Sequence, residues 1–125
     1  MVINIPTDKR KFFRQSLEVI KALPPLNTLR DRELDVLAEF LYFNDKYSAI
    51  EEDLRGRLIF DYETKIAMRE YLDDMSEAGF NNYLTMLRKK GILGKRGIVN
   101  TYGISTKTPS ITFKFIIEGE NEESN

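Results

Sequence analysis

The chain has 125 residues, a formal net charge of −1, 42% apolar and 11% aromatic residues, and neither cysteine nor histidine. That length suits one domain with a modest core, and that composition argues against wholesale disorder. With no cysteine or histidine, disulfides, thiol chemistry, Ser–His triads and most zinc sites are excluded, so the expectation is a non-enzymatic binding or assembly module that needs no cofactor. The apolar runs are short, and the opening MVINIPTDKRKFF lacks the apolar core of a signal peptide. The chain therefore reads as cytoplasmic, with no membrane partner.

Taken in order, residues 1–6 are short and extended in character, ending at Pro6. Thr7 is a candidate cap for a helix from about Asp8 to Leu23, in which Phe12, Phe13, Leu17, Ile20 and Leu23 fall near a 3.6-residue period. Pro24-Pro25 stops it. Its other face carries Lys9, Arg10, Lys11 and Arg14, so the helix is an extra core layer, a dimerisation arm or a basic arm. Two adjacent phenylalanines are costly to leave in water and favour the packing role. A second helix follows Asn27-Thr28 and runs to about Asn44. Leu34, Leu37, Ala38, Leu41 and Tyr42 share one face, while Arg30, Asp31, Arg32, Glu33, Asp35 and Glu39 fill the other.

Residues 48–54 read as a helical turn or surface loop, and the consecutive acids Glu51, Glu52 and Asp53 suit a solvated loop better than a metal site. Gly56 breaks this segment, and Leu58-Ile59-Phe60 reads as a small strand. Asp61 is a candidate cap for a helix over about Tyr62 to Leu72. Ser76 then caps a helix from Glu77 to Lys90, with Met75 and Phe80 in hydrophobic-staple positions. That helix is expected to bury Phe80, Tyr83 or Leu84, and Leu87, and to show Asn81, Asn82, Thr85, Arg88 and Lys89. Gly91 fits the left-handed position that ends helices. Ile92-Leu93 begins a strand, Gly94-Lys95-Arg96-Gly97 turns, and Ile98-Val99-Asn100 continues or pairs. Thr101 to Ser110 is a polar loop. Ile111, Phe113, Phe115 and Ile117 alternate with Thr112, Lys114 and Ile116, the pattern of a strand with one buried face.

Charge is distributed unevenly along this order. Residues 1–27 hold five basic and two acidic groups, 28–77 seven basic and fourteen acidic, 78–117 seven basic and no acidic, and 118–125 four acidic. A net charge near zero argues against strong nonspecific nucleic-acid binding, but forty residues without one acid point to a surface with two poles.

From residue 28 the expected order is helix, short strand, helix, turn, helix, strand, loop, strand, with the run Met75-Ser76 to Leu93 looking like a reading helix followed by a first wing strand. This order resembles the winged helix-turn-helix family. The implied fold class is mainly α with a small antiparallel β wing (α+β), carrying an extra N-terminal helix. The implied organisation is a basic amphipathic helix over 1–27, the winged-helix domain over 28–117 and an acidic tail over 118–125. In that family the last helix enters the major groove and the wing touches the backbone or minor groove. The resemblance therefore implies that Ser76, Asn81, Asn82, Thr85, Arg88 and Lys89 face double-stranded DNA, with Lys95, Arg96 and Lys107 on phosphates. The expected function is a transcriptional or replication regulator. The alternative is a structural or protein-interaction module that associates with copies of itself or other proteins, because fold does not dictate function. Lacking Cys, His and Trp, the chain also looks similar to bacteriophage-encoded proteins, for which that alternative would be a virion or connector-ring component.

Overall fold

The computed structural model describes residues 1–119. Five α-helices follow one another: α1 (Lys9–Ile20), α2 (Asp31–Lys46), α3 (Glu52–Ile59), α4 (Tyr62–Tyr71) and α5 (Glu77–Lys89), with a short 3-10 turn at Leu26–Thr28. The acidic tail assigned from residue 118 lies almost wholly outside the described residues.

α2 is the hub, and α1, α3, α4 and α5 all pack against it. Its sequence explains why. Leu34, Leu37, Ala38 and Leu41 are buried as the 3.6-residue period requires, and Val36, Phe40 and Phe43 widen the stripe until little of the helix faces water. The buried Phe13 and Leu17 of α1 fill one side, while Phe80, Leu84 and Leu87 of α5 fill the other. Phe40 is the central contact, stacked obliquely on Phe60 at 5.1 Å and Phe80 at 6.1 Å between ring centroids.

The polar face expected for α2 is also partly buried. Glu39 is 2% exposed, and its carboxylate accepts from Arg10 Nε of α1 at 3.2 Å. The same guanidinium lies over the ring of Tyr71 at 3.9 Å and donates to the Ala67 carbonyl at 3.3 Å, so one side chain ties α1 to both α2 and α4. Burial holds Glu39 above the usual carboxylate range, and the bond from Arg10 opposes that rise. At the other end of α2, Glu33 is 3% exposed and accepts from Lys90 Nζ at 3.1 Å. Arg14 is bound in the same way, its Nε 2.7 Å from Asp35. α1 is thus a packed layer, and Arg10 and Arg14 are held by the fold's own acids.

Several local expectations need correction. The cap of α1 is Asp8, which accepts from the Arg10 and Lys11 N–H groups, and not Thr7. α1 ends at Ile20, before the prolines are reached. Asp61 occupies the N-cap position of α4 but its side chain makes no capping bond. Leu58-Ile59-Phe60 is the end of α3 and no strand. The acids read as a loop start that helix: Glu51 caps it by accepting from the Asp53 N–H at 3.0 Å, and Glu52 and Asp53 suit the positive end of its dipole.

The larger correction concerns the β wing. Among the described residues there is no strand, and the mainly α part of the expected fold class is what stands. The backbone accounts for this. Gly91 takes φ 74°, the Gly91 N–H donates to Arg88 O, and the Ile92 and Leu93 N–H groups both donate to Leu87 O. This is the Schellman closure of α5, and it consumes the donors that a first wing strand would offer a partner. What remains is one antiparallel bridge, Leu93 to Ile98, closed by Gly94 N–H on Gly97 O at 2.9 Å. The chain then leaves for α2, where Ile104 is buried and Ser105 and Thr106 donate to the carboxylate of Asp45 at 3.0 and 2.6 Å. Among the described residues no strand lies opposite residues 111–117, which are exposed.

Candidate nucleic-acid interface

α4, a five-residue connection and α5 form the part of the molecule expected to meet DNA. The connection is tightly made. Asp73 and Asp74 both take positive φ (58° and 55°), a conformation that aspartate tolerates better than most residues. Arg69 locks the turn from both sides, its Nε donating to Met75 O at 2.8 Å and its carbonyl accepting from the Met75 N–H at 3.0 Å. Ser76 Oγ accepts from the Gly79 N–H at 3.1 Å, and the fully buried Phe80 with half-buried Met75 supplies the staple.

From that start α5 buries Phe80, Leu84 and Leu87 and turns Asn81, Asn82, Thr85, Arg88 and Lys89 outward, all exposed. The Thr85 hydroxyl donates to Asn81 O at 2.9 Å, which lessens what it offers a partner. Arg88 lies over the ring of Phe60 at 5.0 Å, which aims its guanidinium across the end of α3. Lys90 is turned inward onto Glu33 and the Thr28 carbonyl.

The hairpin tip joins this surface through the same helix. Gly56 of α3 is buried against it, and a methyl group there would sit 1.9 Å from the Arg96 carbonyl oxygen. Only glycine permits that approach, and it sets the backbone of the hairpin, with Lys95 and Arg96 exposed on it, against α3 one helical turn before Phe60, the ring over which Arg88 lies. Arg88 and the hairpin bearing Lys95 and Arg96 therefore meet the last turn of α3, while Lys89, Asn81 and Asn82 are exposed on α5. Among the described residues none of these four cations makes a salt bridge, whereas Arg10, Arg14 and Lys90 all do.

Two predicted residues stand apart. Ser76 lies at the opposite end of α5, and its hydroxyl serves as the helix cap. Lys107 is exposed, but it follows the anchor at Asp45, twelve residues along α2 from Glu33, or roughly 18 Å of helix rise. Arg57, exposed on α3 between Gly56 and Phe60, is a cation the sequence reading left out. Its signal was present as an acidic start and a basic finish over 51–57, which marks a helix.

The surface is also polar lengthwise. Asp73, Asp74 and Glu77 are exposed at the N-terminal end of α5, opposite its cationic end. Among the described residues no group of three or more acids is placed to hold a metal ion, and no helix is long and apolar enough to cross a membrane. Comparison with protein-family models, with curated proteins and with solved structures finds no match for this chain.

Proposed function

We propose that this chain is a non-enzymatic, double-stranded DNA-binding protein of the regulatory kind, reading with α5 and holding phosphates with the tip of the 92–99 turn. The observation that carries the reading is that Arg88 and the hairpin bearing Lys95 and Arg96 both meet the last turn of α3, with these three cations and Lys89 exposed and without salt bridges among the described residues. Asn81 and Asn82 supply donor and acceptor groups suited to base edges beside them. The acids at the N-terminal end of α5 repel phosphate, so the phosphate contacts fall at the C-terminal end of the helix and on the hairpin, with Asn81 and Asn82 facing bases between the two ends. Fluorescence anisotropy with a labelled duplex tests this. Binding that weakens steeply as salt rises supports it, and no binding at low salt refutes it.

A second reading has its own support. The acidic turn at Asp73, Asp74 and Glu77 and the cationic hairpin are opposite poles of one small domain, an arrangement that suits head-to-tail assembly with copies of itself, as in a structural ring. Native mass spectrometry separates the two: a higher ring favours assembly, a monomer or dimer favours DNA binding.

A further inference from the structure

Residues 111–117 have the alternation of a half-buried strand, yet among the described residues no strand pairs with them. Phe113 is 53% exposed, Phe115 94%, Ile116 78%, Ile117 62% and Ile111 39%. Taking an aromatic side chain as roughly 200 Å², these five present on the order of 500 Å² of apolar surface. Isolated exposed side chains need no explanation, but a contiguous patch of about 300–600 Å² is as large as a monomer normally shows.

We propose that residues 111–117 pair antiparallel with the same residues of a second copy of this chain. Three observations favour a second copy as the occupant. First, the segment's own pattern is self-complementary. In the register centred on Lys114, Ile111 meets Ile117 and Phe113 meets Phe115 on one face, while Thr112 meets Ile116 on the other. Shifting the centre to residue 113 sets Ile117 against Pro109, and shifting it to 115 sets Ile111 against Gly119, so the central register alone places apolar opposite apolar throughout that face. Second, the pairing shields apolar surface, because side chains facing each other across an antiparallel pair are in contact, Phe113 against Phe115 and Ile111 against Ile117. Third, the geometry of the segment allows it. The last anchor on the body is the pair Ser105 and Thr106 on Asp45, and residues 107–119 are exposed beyond it. The one unfavourable contact is Lys114 opposite itself, on the face away from the phenylalanines, where two long side chains can splay into water.

The inference does not depend on DNA binding, and its test needs no ligand. The chain has no cysteine, so an introduced one reports only its own position. At the two-fold centre the facing Cα atoms of an antiparallel pair lie about 4.5–5.5 Å apart, within disulfide range. Lys114→Cys under mild oxidation is expected to give a disulfide-linked dimer on a non-reducing gel. Thr112→Cys is expected to give little, because its counterpart sits four residues along the ribbon, about 13 Å away. Sedimentation velocity of the unmodified chain is expected to show a dimer, and the double variant Phe113→Asp, Phe115→Asp a monomer with unchanged helical circular dichroism. A monomer at all concentrations overturns the proposal, as does equal cross-linking at 112 and 114, or an assembly larger than a dimer that survives in the double variant.

Discussion

Two stretches of this chain look alike in sequence and are treated differently by the fold. Lys9-Arg10-Lys11 with Arg14, and Arg88-Lys89-Lys90 with Lys95-Arg96, are both basic runs on or beside amphipathic helices. In the first, the two arginines are held, Arg10 on the buried Glu39 and Arg14 on Asp35, while Lys9 and Lys11 stay exposed. In the second, Lys90 alone is drawn inward, to Glu33, and the others stay in water. The difference lies in α2, whose acids Asp31, Asp35 and Glu39 meet both arginines of the first run and whose Glu33 alone meets the second. A basic run thus becomes structure or surface according to which acids the fold carries past it. Counting charges along the chain does not reveal which.

Breaking the first cluster should cost most. Arg10→Met leaves Glu39 buried without its partner, and chemical denaturation should show a loss of about 3–5 kcal/mol near neutral pH. The sign of its pH dependence follows from burial, which already raises Glu39. Without Arg10 the folded-state pKa rises further, so the folded variant keeps a proton that the unfolded chain releases. Its stability then falls as pH rises through that raised value, and the deficit should shrink in acid.

Reversing the second cluster should spare stability and strike binding. Lys95→Glu with Arg96→Glu should lower duplex affinity by about 100-fold at moderate salt and flatten the salt slope by about two contacts, with unfolding changed by less than about 0.5 kcal/mol. Equal affinity in the variant would remove the hairpin from the interface. Gly56→Ala sharpens the same point without touching a charge. Its methyl collides with the Arg96 carbonyl, so the tip must shift, and we expect a loss of about 1–3 kcal/mol in stability together with weaker DNA binding. If affinity stays constant while stability drops, the position of the tip does not matter for docking.

The smallest effect separates structure from recognition within α5. Ser76→Ala removes the cap on Gly79 and should cost about 1 kcal/mol in denaturation, while the affinity of the folded protein stays within twofold.

What the sequence made legible was local. The cap at Ser76, the staple of Met75 and Phe80, the left-handed Gly91 and the apolar stripe of α2 each depend on residues within a few positions of one another, and all four are present. What stayed hidden depends on partners far along the chain. Glu33 and Glu39 look solvent-facing until α5 and α1 deliver Lys90 and Arg10. Gly56 looks like a helix breaker until the hairpin arrives against it. The alternation over 111–117 promises a strand, but a strand needs a neighbour, and the donors of Ile92 and Leu93 already serve the end of α5. Of the candidate interface, the exposed face of α5 and the tip at Lys95 and Arg96 were legible, whereas the roles of Ser76 and Lys107 and the presence of Arg57 were not.

The account stands on the exposed cations at the C-terminal end of α5 and the hairpin meeting phosphate. Duplex affinity measured from about 50 to 200 mM salt tests that directly. With Arg88, Lys89, Lys95 and Arg96 in contact, log affinity should fall against log salt with a slope of about −3 to −4. A flat dependence, or no binding at the lowest salt, would contradict it.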